Sequence, residues 1–286
     1  MSGVGSPTDV AASAAAAGVA DGERWLVALD VDGTIMQEDG TITDGVAEQI
    51  RRLREAGHAV MIATGRSVST TLPVMDRLGL VSDYVVTANG AITLGRDESA
   101  PTGYGQVHVE EFDPTDVLTT IRGEIQEGGY AVEDRDGVLR YCGSFPTVES
   151  SGNAEKVEFE QLFDRPATRV VVVSPDHGTD DFLEVVERMG LSKVNYNVGW
   201  TAWLDIAPDG VTKATALERV REWLGIPRER VFAAGDGRND IDMLRWASAQ
   251  GRGCAMGQAP DDVFAVANER TGSDVDDGLA AALATL

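Results

Sequence analysis

The chain has 286 residues, a hydrophobic fraction of 43% and a formal net charge of −23 at pH 7. Its length predicts one large or two smaller cores, and no apolar run approaches the roughly 20 residues that span a bilayer. A surface this acidic repels nucleic acid and anionic membranes, so we expect neither as a partner. Cys142 and Cys254 lie far apart and suggest no disulfide framework, which favours the reducing cytoplasm.

Residues 1–23 are expected to form a flexible tail, since they are rich in small residues and lack the basic and leucine-rich regions of a signal peptide. Three short apolar runs follow, at Trp25–Leu29, His58–Ala63 and Tyr84–Thr87. Each ends in a polar loop, which is the pattern of a buried parallel strand.

Helical patterns separate these strands. Thr43–Ala56 places apolar residues on one face and ends before Gly57, and a second helix follows Arg66 through Leu78 with a break expected at Pro73. The repetition of strand, loop and helix predicts a parallel sheet with helices on its faces.

The sequence pattern changes over residues 92–202. This segment is predicted to form a separate, mixed α+β module. It contains the predicted helices Asp113–Gln126 and Thr179–Met189 and the valine-rich strand Arg169–Ser174. We therefore expect a core of residues 24–91 and 203–286, interrupted by an inserted domain.

The α/β pattern resumes after this insertion. Its predicted elements are two helices and two strands: a helix Lys213–Leu224, a strand Val231–Ala234, a helix beginning near Asp240, and a strand Gly253–Met256.

Polar residues follow several of the predicted parallel strands. The carboxyl ends of such strands open on one edge of the sheet, where ligands bind. Lys213, at a helix start, is expected to reach the same edge. The strand-end residues are Asp30, Asp32, Thr64, Asn89, Asp236 and Asn239.

Asp30 and Asp32 are two residues apart at a strand end, so both side chains point to one face. Two carboxylates in such a place repel each other unless a cation or proton intervenes, and Asp236 supplies a third. Oxygen ligands of this kind suit Mg²⁺.

These groups predict phosphoryl transfer. Asp30 would attack phosphorus as the nucleophile, and Asp32 would protonate the leaving alcohol and then activate water. Lys213 and Mg²⁺ would balance the charge on the transferring group. Thr64 and the N–H of Gly65 would hold a phosphate oxygen.

Each group also has a structural explanation when taken alone. Asp30–Thr34 could be a turn, Thr64 a helix N-cap and Lys213 an exposed helix residue. Gly235–Asp240 could be a loop and a cap, and Arg66 a salt-bridged residue. Their joint occurrence in this order favours the catalytic interpretation.

The four motifs together resemble those of the haloacid dehalogenase superfamily, and within it the Cof-type (subfamily IIB) phosphatases with a large inserted cap. The resemblance covers the core strongly and the inserted domain only by position and texture. The matching segments are Asp30–Thr34, Ala63–Arg66, Asp209–Lys213, Gly235–Asp240, Thr87–Ala91, Ala255–Ala259 and Asp277–Leu279.

The resemblance implies a Rossmann-like parallel-sheet α/β core with an inserted α/β cap of the C2B type. It implies Mg²⁺ ligands at Asp30, the backbone carbonyl of Asp32 and Asp236, with Asp240 supporting. The presence of Asp32 argues against dehalogenation. The residues expected to bind substrate are Gly65, Arg66, Asn89, Gly90 and Asn239.

We expect a phosphomonoester hydrolase that acts on a small phosphorylated metabolite, such as a sugar phosphate, as a monomer or homodimer. A phosphomutase of the same superfamily and an inactive phosphate-binding module stay open as alternatives. Five residues of the inserted domain could contact the leaving group or belong to its core: Arg140, Tyr141, Tyr196, Asn197 and Trp200.

Overall fold

The computed structural model describes residues 23–125, 127–145, 153–174 and 203–286, together with the backbone of 194–198. The predicted tail up to residue 22, the predicted helix Thr179–Met189 and Trp200 lie outside the described residues, as do the side chains of Tyr196 and Asn197.

The described strands and helices alternate in the first and last parts of the chain. The strands are β1 (Leu26–Leu29), β2 (Ala59–Ile62), β3 (Tyr84–Thr87), β4 (Ile92–Arg96), β5 (Tyr104–Val109), β6 (Gly129–Glu133), β7 (Leu139–Cys142), β8 (Ala154–Lys156), β9 (Arg169–Val173), β10 (Val194–Val198), β11 (Trp203–Pro208), β12 (Val231–Gly235), β13 (Arg252–Ala255) and β14 (Glu269–Arg270). The helices are α1 (Asp44–Glu55), α2 (Val68–Leu78), α3 (Thr115–Glu124), α4 (Lys213–Trp223), α5 (Ile241–Ser248), α6 (Asp261–Phe264) and α7 (Gly278–Leu283).

A five-stranded parallel sheet forms the centre of the first unit, in the order β14-β13-β12-β1-β2. Every residue of β1, β2 and β12 is buried, which confirms the prediction of buried parallel strands. An isolated parallel bridge joins Ala63 to Val86 and brings β3 alongside β2. The three strands predicted before the insertion therefore lie next to one another.

Helices cover this sheet with apolar faces. Thr43 caps α1, since its side chain accepts a hydrogen bond from the Val46 N–H, and Val46, Ile50 and Leu53 are buried. The expected break at Pro73 is wrong, because α2 continues through it. Proline removes only one helical hydrogen bond, while the burial of its neighbours Val74 and Met75 holds the helix to the core.

The second unit is built on a six-stranded sheet in the order β10-β11-β9-β6-β7-β8. One face of this sheet packs on α3 through Tyr130, Val170, Leu204 and Ile121, which belong to one buried cluster. Most of its strand pairs are antiparallel, as expected for a mixed α+β module.

The boundaries of the units differ from those expected at residues 91 and 202. Residues up to Arg66, Thr71–His108 and Thr212–Leu286 form the first unit, and Ser67–Thr70 with Val109–Val211 forms the second. The β4 strand pairs with β3 and so remains in the first unit. The β11 strand pairs with β9 and so belongs to the inserted unit.

No helix within the described ranges combines the length and apolar character needed to cross a membrane.

Candidate active site

The carboxyl ends of neighbouring strands are joined by backbone hydrogen bonds just where the predicted functional residues begin. The Asp30 N–H donates to the Ala234 carbonyl at 3.0 Å, and the Ala63 N–H donates to the Leu29 carbonyl at 2.9 Å. The Thr64 N–H donates to the Val86 carbonyl at 3.0 Å. Asp30 thus directly follows the central strand β1, which has β2 and β12 on either side.

Lys213 lies at the centre of this edge. Its Nζ is 2.7 Å from Asp30 Oδ1 and 2.7 Å from Asp240 Oδ1, and its side chain is 0% exposed. Burial alone lowers the pKa of this lysine, but Asp240 and Asp30 outweigh that effect and raise the pKa. Lys213 is therefore a buried cation between two carboxylates, and the exposed-helix explanation does not apply.

Gly90 allows the helix that carries Lys213 to approach the sheet. It has a φ of +107°, and a Cβ at this position would lie 2.2 Å from the Thr212 carbonyl oxygen. Any side chain here would displace the start of α4, where Thr212 is the N-cap. Gly90 therefore has a structural role in placing Lys213.

Asp240 organises the loop that follows β12. Its Oδ2 accepts hydrogen bonds from the N–H groups of Asp236 and Gly237, both at 3.0 Å, while its Oδ1 contacts Lys213. Both carboxylate oxygens are thus engaged within the protein. The supporting role expected for Asp240 stays a prediction.

Asp236 points back toward the loop after β1. The Thr34 hydroxyl donates to Asp236 Oδ1 at 3.4 Å. Gly33 has a φ of +70°, and a Cβ there would lie 2.3 Å from Asp236 Oδ2, so this loop requires glycine. The Gln258 amide donates to the Gly33 carbonyl at 2.5 Å and to the Asp236 side chain.

The core cluster, which we define as Asp30, Asp236, Asp240 and Lys213, has an excess of negative charge. One oxygen from each of the three carboxylates lies within 4.8 Å of the others, against one ammonium group. Burial, and then Asp240, raise the pKa of Asp236 to about 7. The same two causes raise the pKa of Asp30 well above its ordinary value, although Lys213 opposes them.

These carboxylates fit a hard divalent cation. All the donors are oxygen atoms, and a cation would relieve the repulsion that raises both pKa values. Since Asp240 is already fully hydrogen-bonded, Asp30 and Asp236 are the side chains best placed to bind it.

Asp32 is separated from the core cluster by its orientation. Its carboxylate is 60% exposed and is held by Arg66, with Nε to Oδ2 at 2.8 Å and Nη2 to Oδ1 at 2.5 Å. Asp32 therefore contributes no side-chain oxygen to the buried carboxylate group. The salt-bridge interpretation of Arg66, which the sequence left open, describes its contact here.

Thr64 and three of the expected substrate-binding residues lie together beside this site. The Asn239 amide donates to Asn89 Oδ1 at 3.2 Å, and the Asn89 N–H donates to the Thr64 carbonyl at 3.0 Å. A Cβ on Gly65 would lie 2.9 Å from Asn89 Oδ1. The structure therefore brings residues of three separate sequence segments, at Thr64–Gly65, Asn89 and Asn239, to the sheet edge that carries Asp30.

The inserted unit buries a second group of charges, the insert cluster of Glu133, Arg169 and Asp205. Arg169 Nε is 3.4 Å from Glu133 Oε2, and Arg169 Nη1 is 3.8 Å from Asp205 Oδ2. Neither oxygen of Glu133 has a hydrogen bond within the described part of the chain. Burial raises the pKa of Glu133 despite the opposing effect of Arg169.

Two of the five inserted-domain candidates have described side chains. Arg140 is buried and donates to the Gln161 carbonyl at 2.8 Å, so its position is that of a core residue. Tyr141 is partly exposed, and its ring packs 6.4 Å from that of Phe145.

Thr34 and Gln258 also contact this site but were not predicted from the sequence. Their positions in the sequence could have indicated both. Thr34 ends the motif that contains Asp30, and Gln258 follows β13, so it lies at the same edge as the residues that follow β1 and β12.

Comparisons with known proteins agree on one family. A model described as haloacid dehalogenase-like hydrolase matches residues 27–283. The 5-amino-6-(5-phospho-D-ribitylamino)uracil phosphatase YitU of Bacillus subtilis is 28% identical, with 90% of this chain and 95% of YitU covered. The pyridoxal phosphate phosphatase YbhA of Escherichia coli is 30% identical, with 89% and 96% covered.

Solved structures share the fold. A sugar phosphatase of HAD subclass IIB aligns with a TM-score of 0.75 at 22% identity, covering 91% of this chain and 98% of that one. A protein from Bacteroides thetaiotaomicron, described among phosphatases of the same superfamily, aligns with a TM-score of 0.73 at 23% identity, covering 93% and 96%. The predicted α/β fold class and the predicted family resemblance are confirmed.

Proposed function

Because this chain is a phosphatase of the haloacid dehalogenase-like hydrolase family, we propose that it hydrolyses small phosphomonoesters with Mg²⁺ through an aspartyl-phosphate on Asp30. The observation that carries this proposal is the position of Asp30. It directly follows the central buried strand β1, contacts the Lys213 ammonium at 2.7 Å, and lies within the group of carboxylates that includes Asp236.

In the first half-reaction, a carboxylate oxygen of Asp30 attacks phosphorus and the bond from phosphorus to the ester oxygen breaks. The Asp32 carboxyl gives its proton to the departing alkoxide, so a neutral alcohol leaves. Lys213 fixes Asp30 and places positive charge beside the transferring group.

In the second half-reaction, a water molecule attacks the phosphorus of the aspartyl-phosphate. Asp32, now a carboxylate, takes a proton from this water, and the bond from phosphorus to Asp30 breaks. Inorganic phosphate leaves, Asp30 is a carboxylate again, and Asp32 is protonated for the next cycle. The sum is ester plus water giving alcohol plus phosphate.

The phosphate would be held by residues that surround Asp30. Thr64 offers its hydroxyl and Gly65 its N–H, while the linked amides of Asn89 and Asn239 offer further donors. Their role as ligands is part of this proposal, as is that of Arg66 and of Gly90, whose backbone lies beside Thr212.

Asp30, Asp236 and the backbone carbonyl of Asp32 would hold the Mg²⁺ ion. When bound, Mg²⁺ supplies charge that offsets the repulsion between the carboxylates and the phosphate. This local charge matters because the net charge of −23 opposes an anionic substrate over longer distances.

Relatives support a small phosphorylated metabolite as substrate. YitU is named for a phosphorylated ribityl compound and YbhA for pyridoxal phosphate, and one structural neighbour is named a sugar phosphatase. The free thiols of Cys142 and Cys254 support a reducing compartment such as the cytoplasm.

The proposal is tested with a panel of phosphomonoesters and Mg²⁺, with wild-type protein and Asp30→Asn. We expect the wild type to release phosphate without an activating bisphosphate, which a phosphomutase would require. Asp30→Asn should lose turnover by at least about 10⁴-fold, since the covalent route is removed, while its circular dichroism spectrum is unchanged.

Asp83→Asn is the matched control. Its carboxylate pairs with Arg24 at 2.8 Å just before β3, at the opposite end of the strands, so its turnover should match wild type. Turnover in Asp30→Asn at the wild-type rate would reject Asp30 as the nucleophile. A wild type that releases no phosphate from any ester would favour the inactive phosphate-binding module.

A further inference from the structure

The contact between Arg66 and Asp32 uses both oxygens of the carboxylate. Arg66 Nε donates to Oδ2 at 2.8 Å and Nη2 donates to Oδ1 at 2.5 Å. A side-on pair of this kind fixes the plane of the carboxylate as well as its position. The Asp32 side chain is 60% exposed, so this contact restrains a carboxylate that solvent would otherwise leave mobile.

The backbone of Arg66 is itself held in place. Its N–H donates to the Thr64 hydroxyl at 3.2 Å, and its carbonyl accepts from the Ala88 N–H at 2.9 Å. These bonds attach the residue to the ends of β2 and β3. The guanidinium therefore approaches Asp32 from a fixed support at the edge of the sheet.

We propose that Arg66 is a positioning residue that orients Asp32 for proton transfer to the leaving group and from water. This inference rests on the proposed function and adds a residue that acts through another. Arg66 could act as a phosphate ligand or as a positioning residue. A phosphate ligand would contact the substrate with or without the Asp32 carboxyl, whereas a positioning residue acts only through that carboxyl.

The chemistry of the carboxyl group supports both halves of the reaction. As a carboxylate, Asp32 accepts both N–H groups of Arg66, which is the arrangement observed and the one needed when it acts as a base. As a carboxylic acid, it keeps one N–H on its carbonyl oxygen and has a hydroxyl to donate. One arginine can therefore orient the donor in the first half-reaction and the acceptor in the second.

The experiment compares two aryl esters of similar shape, phenyl phosphate and p-nitrophenyl phosphate. Phenolate is the poorer leaving group and depends more on protonation. In Arg66→Gln we expect kcat/KM for phenyl phosphate to fall by about 10–100-fold, as for a misplaced catalytic group, because kcat/KM reports the steps up to formation of the aspartyl-phosphate. For p-nitrophenyl phosphate we expect kcat/KM to fall by less than about 3-fold, although slower hydrolysis of the common aspartyl-phosphate can lower kcat for both esters.

Two further variants test whether Arg66 acts through Asp32. Arg66→Lys keeps the charge but loses the planar pair of donors, so we expect an intermediate loss on phenyl phosphate. In an Asp32→Asn background, Arg66→Gln should cause no additional loss, because the two residues act as one unit.

Arg252→Gln is the matched control. Arg252 holds Glu269 through the same two nitrogens, Nε at 2.6 Å and Nη2 at 2.9 Å, in the same unit. The substitution removes a comparable ion pair from β13. The ratio of kcat/KM for the two esters should stay at the wild-type value.

The outcomes separate the inference from the function on which it rests. Equal losses of kcat/KM on both esters, or a loss of kcat/KM that persists in Asp32→Asn, would overturn the inference and make Arg66 a phosphate ligand or a structural residue. A wild type that hydrolyses neither ester with Mg²⁺ would reject the proposed function and the inference together.

Discussion

The two units of this chain each bury carboxylates around one cation, yet the two clusters differ in how tightly they are organised. In the core cluster, Lys213 makes two contacts of 2.7 Å, and Asp240 accepts two further backbone hydrogen bonds. In the insert cluster, Arg169 lies 3.4 and 3.8 Å from its two carboxylates.

The difference follows from where each cluster lies. The core cluster occupies the carboxyl ends of parallel strands, where the loop after β12 supplies the N–H groups of Asp236 and Gly237 to Asp240. The insert cluster lies across strands whose own N–H groups are used in the sheet. Both clusters bury charge, and the core cluster differs by its contacts of 2.7 Å and by the backbone donors to Asp240.

The largest effect is expected from Lys213→Met. It leaves Asp30 and Asp240 buried without their ammonium, and breaking such a pair costs about 3–5 kcal/mol. Urea denaturation without divalent cations measures the change, with Lys156→Met, at an exposed position on β8, as the control. If Lys213→Met lowers the free energy of unfolding no more than the control does, the short contacts of Lys213 do not stabilise the core cluster.

Metal binding should distinguish the clusters next. Burial and Asp240 raise the pKa of Asp236 from 3.8 to about 7, so the folded protein binds more protons than the unfolded chain in this window. Without metal, the free energy of unfolding should therefore decline as pH rises from about 4 to about 7. Mg²⁺ at 100 times its Kd should restore about 2.7 kcal/mol at pH 8.

Thermal denaturation of Asp236→Asn with and without Mg²⁺ checks this expectation. The variant should lose most of the stabilisation by Mg²⁺, whereas Asp262→Asn, which removes an exposed partner of Arg238, should keep it. Equal stabilisation of both variants would place the metal elsewhere.

The smallest effect is expected from Glu133→Gln in the insert cluster. Burial raises the pKa of Glu133 above its ordinary 4.5, so the stability that its neutral form contributes is lost as pH rises through the raised value. Glutamine stays neutral at every pH. The free energy of unfolding of the variant should therefore exceed that of wild type by up to about 1 kcal/mol between pH 5 and pH 8.

Urea midpoints at the two pH values measure this gain, and Glu155→Gln, at an exposed position on β8, serves as the control. A loss of more than about 2 kcal/mol at pH 8 would show that the contact with Arg169 is strongly stabilising, and the contrast between the clusters would then disappear.

Much of the fold could be predicted from the sequence because its central strands are specified locally. Continuous apolar runs ending in polar loops identified β1, β2, β3 and β12, and the rule that parallel strands share a carboxyl edge then brought Asp30 and Lys213 together. The strand Trp203–Pro208 shows the limit, since its burial alternates over part of its length and this pattern does not say which sheet it joins.

The local sequence does not determine which side chains contact one another in the candidate site. Arg66 could have been solvated or paired, and only the fold brings it to Asp32 across 34 positions of the chain. The role of Gly90 depends on the distance between two backbones, and the contacts of Gln258 depend on a loop more than 200 residues away in sequence.

The long separations within the core cluster have a consequence for the newly made chain. Asp30 and Lys213 lie 183 positions apart, with the whole inserted unit between them. At about 5–20 residues per second of synthesis, the nucleophile leaves the ribosome on the order of ten to forty seconds before its lysine. β1, which directly precedes Asp30, must wait for β12 on one side, so the inserted unit can fold first and the sheet edge at Asp30 is completed last.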